Sequence, residues 1–296
     1  MRIWKWFRPH GRNGEKTEKN NRVLQIATTL SAAILVIGLC FLGRSWLDQL
    51  RLRAGMRQLR DMRDASAEVM EAENGGLQKS GDGPESDGSP AFFGPYEEFF
   101  LQNDDMVGWL LIPDTPIDYP VMQTMEDEEY YLRRDFYGNP NDNGSLFMDT
   151  DSDVDLPGTN LLVHGHNRLT EDMFGTLMRY EEEAYAKEHP FIFFTTREEE
   201  RVYQVLAAFH SEVYRVTDQV FKYYQFFQAD SEAEFDFFYD SVKALELYDT
   251  GVTAEYGDHF ITLSTCSFIG ERGRFVVVGR ELREAELEKM KESCQD

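Results

Sequence analysis

Apolar and polar residues alternate, or apolar residues run together, in eight short stretches beyond the first third of the chain. Turn-forming sequences such as PDTP, NPNDNG and LPGTN separate several of them. Stretches of this length that are rich in β-branched and aromatic residues predict strands. The predicted strands are residues 107–112, 117–122, 145–149, 160–166, 191–196, 201–213, 260–266 and 274–281. Many short strands joined by polar turns are typical of a β-barrel or a β-sandwich.

One stretch between the predicted strands has helical periodicity instead. Ser231 with Glu234 three residues later forms a capping box, which marks a helix N-terminus. One apolar stripe follows at helical spacing, and it predicts a helix face that packs on the core. The residues of this stripe are Phe235, Phe238, Val242 and Leu245.

The longest apolar run, residues 23–43, contains no charged residue. As a helix it is about 31 Å long, which matches one bilayer core. The run is long for a signal peptide, and no small-x-small cleavage pattern follows it. We therefore expect an uncleaved membrane anchor. Seven Lys/Arg precede the run and six Arg lie in the 20 residues after it, so charge alone barely favours an N-terminus inside the cell.

The segment after the apolar run divides into a helix and a linker. Residues 44–73 predict a helix, and a stalk, a short coiled coil and a surface helix all fit it. Residues 74–90 are rich in Gly, Ser and Pro and predict a flexible linker, so the folded body is expected to begin near Phe92. The apolar positions of the helix at helical spacing are Leu52, Met56, Leu59 and Met62.

Charge is distributed unevenly along the 296 residues. The chain has 30 Lys+Arg and 54 Asp+Glu, a net charge of −24. Residues 1–65 are basic, with 13 basic and 5 acidic side chains, so the remainder is strongly acidic. An acidic body argues against nucleic acid as a partner, whereas a basic front end fits a membrane surface.

Candidate chemistry begins at Cys266, one of three cysteines, which ends a predicted strand eight residues before Arg274. A hairpin that closes about Gly270 places these two residues opposite each other, with Cβ atoms about 5 Å apart. A neighbouring guanidinium favours the reactive thiolate. The alternative is a small buried thiol beside a solvated edge charge, and this stretch by itself favours that alternative. No disulfide framework is indicated, although a bond between Cys266 and Cys294 stays open.

The sequence NLLVHGHN adds two histidines, His164 and His166, on one face of a predicted strand. An H-x-H pair can bind zinc, but no further ligand lies at a diagnostic spacing. One of the histidines can instead pair with the thiol of Cys266 as an acid–base group, and a purely structural role is the third alternative. Ser264 lacks the G-x-S-x-G elbow of a serine nucleophile, and no GxGxxG or P-loop supports nucleotide chemistry.

Taken together, these motifs resemble the sortases, and the class B branch in particular. TLSTC followed by GRFVVVGRE, with NLLVHGHN and MFGTL upstream, carries the resemblance. It extends through NDDMVGWLLIPDTPIDYPVMQ, YYLRRDFYG and GSLFMDTD, and it covers about residues 93–282. The implied fold is mainly β: a closed β-barrel with N-terminal helices and a long helical insertion before the last strands, here residues 223–252.

The resemblance also implies roles for individual residues. Cys266 matches the nucleophile, His166 the general acid that protonates the leaving group, and Arg274 the arginine that holds the substrate and steadies the oxyanion. Arg272 lies two residues earlier, but the phasing of GRFVVV favours Arg274. No metal and no cofactor are implied. The residues expected to line or shape the substrate groove are Ser264, Thr265, His164 and Asn167.

By the same resemblance, the enzyme cleaves a C-terminal sorting signal after Thr through a thioester acyl-enzyme. It then transfers the secreted protein to an amine of peptidoglycan, either on the precursor lipid II or on a cross-bridge. A cytoplasmic basic tail (1–22), a transmembrane anchor (23–43), a stalk and linker (44–91), an extracellular catalytic domain (92–285) and a C-terminal tail (286–296) are expected. The alternatives are a membrane-anchored cysteine protease that hydrolyses the same acyl-enzyme, and a metal-binding ectodomain that uses His164 and His166.

Overall fold

The alternating stretches fold into the eight predicted strands. The structure is a computed structural model that describes residues 13–76, 94–156, 158–267 and 272–293. The strands are Met106–Leu111 (β1), Asp118–Met122 (β2), Leu146–Met148 (β3), Asn160–Gly165 (β4), Phe191–Thr195 (β5), Glu200–Glu212 (β6), Phe260–Cys266 (β7) and Gly273–Glu281 (β8). The α-helices are Asn13–Gly76 (α1), Glu97–Gln102 (α2), Glu183–Glu188 (α3), Glu232–Leu245 (α4) and Glu284–Ser293 (α5). Short 3₁₀ helices span Gly94–Tyr96, Tyr130–Arg133, Gly175–Glu181 and Tyr223–Gln225.

These strands close a barrel in the order β1-β2-β3-β4-β7-β8-β6-β5, and β5 pairs back onto β1. The β2–β3 and β4–β7 pairs are parallel, and the others are antiparallel. A closed barrel leaves no unpaired sheet edge. The predicted mainly-β barrel with N-terminal helices and a helical insertion is therefore confirmed.

The central part of β8, residues 275–279, is apolar without interruption because both of its faces are buried. Phe275 and Val277 belong to the core inside the barrel, whereas Val276 and Val278 belong to a second core on its outer face. Helix α4 covers the outer core. This two-sided burial explains why the RFVVVGR stretch shows no polar alternation.

Helix α4 begins at the predicted cap. The side chain of Ser231 accepts a hydrogen bond from the backbone N–H of Glu234 at 3.4 Å, and the Glu234 carboxylate accepts one from the Asp230 N–H at 2.8 Å. Three members of the predicted stripe, namely Phe235, Phe238 and Val242, are buried. The fourth, Leu245, is 41% exposed because it is the last residue of the helix.

The chain divides into two compact units, Met1–Arg51 and Leu52–Asp296. The first unit holds the whole of the apolar run 23–43. Among the described residues, one helical stretch, Leu24–Glu68, is long and apolar enough to cross a membrane. Of the predicted linker, residues from 77 onward lie outside the described residues, as do residues 1–12 of the basic tail and the loop 268–271.

Within the second unit, the part of α1 from Leu52 onward packs on the barrel. Leu52, Met56 and Leu59 are buried in the core inside the unit. The carboxylate of Asp118 on β2 binds Arg63 at 2.5 Å and Arg60 at 3.3 Å. Of the three alternatives for residues 44–73, the contacts of Leu52–Arg63 are those of a helix on the domain surface. The proposed domain boundary at residue 92 stays a prediction.

Candidate functional site

Cys266 is the last residue of β7 and the only exposed member of that strand. It is a free thiol. Its Cα is paired with that of Arg274 on β8 in the antiparallel register, as predicted for a hairpin that closes about Gly270. The two side chains therefore lie on the same face of the barrel, which is the outer face that α4 covers farther along the strands.

His166 reaches the same edge through the parallel pairing of β4 with β7. In that register His164 lies opposite Ser264, and Gly165 lies opposite Thr265. His166 directly follows Gly165, just as Cys266 directly follows Thr265, the pairing partner of Gly165. Three strands with adjacent ends thus bring together residues that are 100 positions apart in the sequence.

These side chains line one cleft of about 350 Å³. Cys266, His166 and Arg274 are among its lining residues. Three of the four residues expected in the substrate groove also line it, namely Ser264 and Thr265 on β7 and His164 on β4. The complete lining consists of Glu128, Glu129, Leu132, Phe147, Asp149, His164, Gly165, His166, Val213, Tyr223, Tyr224, Ser264, Thr265, Cys266 and Arg274. Asn167 is not part of this lining.

The half-buried imidazole of His166 is held by a backbone group. Its Nε2 lies 2.7 Å from the carbonyl oxygen of Leu132. Because a carbonyl can only accept, we assign the proton of neutral His166 to Nε2, which leaves the lone pair on Nδ1. Burial lowers the pKa of His166, and the positive charges of Arg168 and Arg133 lower it further. The hydrogen bond to Leu132 raises this pKa but does not outweigh the burial. The neutral imidazole is therefore favoured in the free protein.

Arg274 presents its guanidinium to the cleft. Its Nη1 donates to the backbone carbonyl of Gly273 at 3.1 Å. In the described part of the chain, no carboxylate lies within ion-pair distance of its guanidinium. Arg272 is exposed and precedes β8. The assignment of the functional arginine to Arg274 stays a prediction.

The other predicted groove residues have partners of their own. Thr265 is buried and donates from Oγ1 to the Gly165 carbonyl at 2.8 Å, which ties β7 to β4 beside the site. Asn167 donates from Nδ2 to the carbonyl of Cys266 at 2.8 Å. Both contacts link the histidine segment to the cysteine strand. Their role in substrate binding stays a prediction.

Ser264 and His164 also make contacts in the cleft. The Ser264 hydroxyl is buried and lies 2.7 Å from the hydroxyl of Tyr223, the first residue of the insertion 223–252. His164 packs against the ring of Phe147 with centroids 5.3 Å apart, and its Nε2 lies 3.4 Å from Asp149 Oδ2. The sequence gives no sign of Tyr223 at the site, because only the tertiary fold carries the insertion to β7.

The two histidines do not form a metal-binding pair. His164 faces Asp149, whereas His166 faces Leu132. Among the described residues, Glu128, Asp149 and His164 form the one group of three whose ligand atoms all lie within 4.8 Å of one another, and it does not include His166. Burial and the charge of Asp149 raise the pKa of Glu128. The side chains of His164 and His166 therefore do not converge on one ion position.

Comparison with known proteins identifies relatives over the same region. The Sortase domain family model matches residues 110–282, which include all the cleft residues. The chain is 31% identical to sortase B of Listeria monocytogenes over 181 residues, which cover 60% of this chain and 70% of that protein. It is 28% identical to sortase B of Staphylococcus aureus over 192 residues, 64% of this chain and 75% of that protein. The crystal structure of sortase B from B. anthracis in complex with AAEK1 is similar with a TM-score of 0.64 at 26% identity, over 81% of this chain and 100% of that one.

Proposed function

The chain belongs to the sortase family, in its class B branch, and from this membership we propose that Cys266 is the nucleophile of a membrane-anchored transpeptidase. Sortases of this class are cell-wall sorting enzymes. The finer assignment is that Cys266 cleaves a C-terminal sorting signal after Thr and that a peptidoglycan amine takes the acyl group. The observation that supports it is the single cleft lined by Cys266, His166 and Arg274.

In the first step, the sulfur of Cys266 attacks the carbonyl carbon of the threonine in the sorting signal. The thiol proton passes to Nδ1 of His166, the nitrogen that the Leu132 carbonyl leaves free. A tetrahedral oxyanion forms as the S–C bond is made. Arg274 donates hydrogen bonds to this oxygen, and its charge is available because no described carboxylate neutralises it.

The intermediate collapses when the C–N bond breaks. The imidazolium of His166 gives its Nδ1 proton to the departing amine, which leaves as a neutral peptide. The acyl group remains on Cys266 as a thioester. Since the pKa of His166 is lowered, its protonated form is a strong acid toward this amine.

In the second step, an amine of a peptidoglycan precursor attacks the thioester carbonyl. Neutral His166 accepts a proton from this nucleophile, and the sulfur of Cys266 leaves as the new amide forms. The acceptor is lipid II or a cross-bridge amine. The proposed acceptor and the proposed sorting-signal protein both lie at the membrane surface, so an anchor at residues 23–43 raises their effective concentration. An N-terminus inside the cell and a catalytic domain outside complete this proposal.

The test uses the full chain in detergent micelles with fluorogenic peptides that contain a Thr–Gly or a Thr–Asn bond. We expect the wild-type chain to cleave one of them and Cys266→Ala to abolish cleavage. Mass spectrometry should detect the acyl-enzyme on Cys266. Adding triglycine or a diaminopimelate-containing peptide should shift the product from free acid to amide. Unchanged cleavage by Cys266→Ala would overturn the proposal, and free acid alone at saturating amine would assign a hydrolase instead.

A further inference from the structure

A bidentate ion pair joins α1 to the loop that follows the proposed general acid. Arg53 donates from Nε to Asp172 Oδ1 and from Nη2 to Asp172 Oδ2, each at 3.1 Å. The Arg53 Nη2 also lies 3.3 Å from the carbonyl oxygen of Thr170. The Arg53 side chain is 46% exposed, but the Asp172 side chain is only 14% exposed. A fork of this kind fixes orientation as well as distance.

Asp172 lies in a loop of unusual backbone conformation. Its two neighbours, Glu171 and Met173, have φ values of 61° and 55°, a region that residues other than glycine rarely occupy. Such a conformation persists where surrounding contacts impose it. The hydrogen bonds from Arg53 to Asp172 and Thr170 are among these contacts, and the packing of the buried Met173 side chain is another.

The loop returns directly to the site. The backbone N–H of Phe174 donates to the carbonyl oxygen of His166 at 3.0 Å, and Asn167 forms an antiparallel bridge with Met173. The Asn167 side chain in turn binds the carbonyl of Cys266 at 2.8 Å. A displacement of the loop therefore acts on the backbone of both proposed catalytic residues.

Docking of α1 on the barrel does not depend on Arg53. Arg60 and Arg63 bind Asp118 on β2, and Leu59 is buried. These contacts hold the helix near the loop. The ion pair with Asp172 is made by Arg53. The role of Arg53 can thus be separated from the attachment of the helix as a whole.

We propose that Arg53 and Asp172 are positioning residues that hold the His166 loop in its active geometry. The part of α1 that follows the predicted anchor then supports the chemistry in addition to tethering the domain. This inference rests on the proposed function, because the readout is peptide cleavage.

Two substitutions with opposite effects on charge test the inference in the full chain. Arg53→Gln removes a positive charge and Asp172→Asn removes a negative one, but both break the same fork. We expect each to lower kcat for peptide cleavage by about tenfold, less than the roughly hundredfold that a displacement of 1 Å can cost. The KM for the peptide should change by less than about twofold, since neither residue lines the cleft.

The pair exchanged in the double variant Arg53→Asp/Asp172→Arg should recover at least part of kcat. A histidine-selective NMR titration adds a second readout. Both single variants should raise the pKa of His166 toward its ordinary value, because a loosened loop admits water. A purely electrostatic effect would move that pKa in opposite directions in the two variants.

Arg283→Gln is the matched control. Arg283 forms a similar fork with Asp258, at 3.0 and 2.7 Å, near the start of β7 and so at the far end of that strand from Cys266. It should lower thermal stability as much as Arg53→Gln does while leaving kcat unchanged. Wild-type kcat in both single variants, or opposite changes in kcat, would overturn the inference. Absence of cleavage by the wild-type chain would instead count against the proposed function.

Discussion

Cys266 and Arg274 are directly paired at the ends of β7 and β8, so their side chains share one face of the barrel. The thiol and the guanidinium are placed by the strand register itself and need no flexible loop to bring them together. An antiparallel register shifted by one residue would turn one of them to the opposite face. The continuous burial of β8 on both sides specifies that register, because a slip would move the residues of two cores at once.

The first prediction concerns the charge of Arg274. Arg274→Ala should lower kcat for peptide cleavage by about 10²–10³-fold, the loss typical of a missing oxyanion donor. The fold should be unaffected, because its one described partner is the neighbouring Gly273 carbonyl. Steady-state kinetics with a fluorogenic peptide measure the loss. Arg272→Ala removes the same charge from an exposed position two residues away and should retain nearly full kcat.

An equal loss in the two variants would assign the effect to the general positive potential of the hairpin. The comparison therefore separates a directed hydrogen bond from a diffuse field. Arg274→Lys sharpens it further, because lysine keeps the charge but lacks the planar fork.

The second prediction concerns pH and His166. Its pKa is lowered by burial below the ordinary value of 6.5, with help from Arg168 and Arg133. The unfolded chain therefore binds this proton at a higher pH than the folded chain does. The stability contributed by neutral His166 is complete above the unfolded pKa and is lost as the pH falls through the folded pKa. Between about pH 7 and 5, the free energy of unfolding should fall more steeply in the wild-type chain than in His166→Gln.

Urea unfolding of both proteins across this pH range measures the difference. The other five histidines are common to both, so they cancel. Parallel slopes would show that His166 titrates with the same pKa in the folded and the unfolded chain. A histidine-selective NMR titration should independently place the His166 pKa below 6.5.

Local patterns were sufficient to predict the strands and the pairing of Cys266 with Arg274. All eight strands follow from alternation, β-branched runs and turn residues, and the hairpin pairing follows from a loop of few residues. The same local logic overextended the stripe of α4 to Leu245, because periodicity does not show where burial ends.

Non-local relationships could not be predicted from the sequence. The parallel pairing of β4 with β7, which brings His166 to Cys266, joins residues 100 positions apart. The acceptor of the His166 proton is the backbone of Leu132, and a carbonyl group leaves no signature in the residue type. The ion pair between Arg53 and Asp172 joins residues 119 positions apart, and nothing in the sequence around either charge indicates the other. Spacing alone left the catalytic roles open, and resemblance to a family supplied the roles proposed for Cys266, His166 and Arg274.

The third prediction tests whether the part of α1 around Leu59 belongs to the folded domain. Leu59 is 1% exposed and packs in the barrel core, so Leu59→Ala should lower the free energy of unfolding by about 2–4 kcal/mol. Leu245→Ala is the matched control, since it makes the same change in a helix at a residue that is 41% exposed. It should cost less than about 1 kcal/mol. Equal midpoints in urea for the two variants would support a folded body that begins only near residue 92.

The fourth prediction concerns the hydrogen bond between the insertion and β7. Tyr223 and Ser264 are both buried, and their hydroxyls lie 2.7 Å apart. Burial raises the pKa of Tyr223 to about 12, so the pair stays neutral across the physiological range. Tyr223→Phe should lower the free energy of unfolding by about 1–2 kcal/mol, because it leaves the Ser264 hydroxyl buried without its partner. Ser264→Ala should cost a similar amount for the reciprocal reason.

A double-mutant cycle separates this bond from the packing of the two side chains. Removing both hydroxyls leaves no unpaired group, so the double variant should be more stable than the sum of the two single losses predicts, by about 1 kcal/mol. Urea unfolding of the four proteins at pH 7 measures this coupling energy. Strict additivity would show that the two hydroxyls stabilise the fold independently of each other.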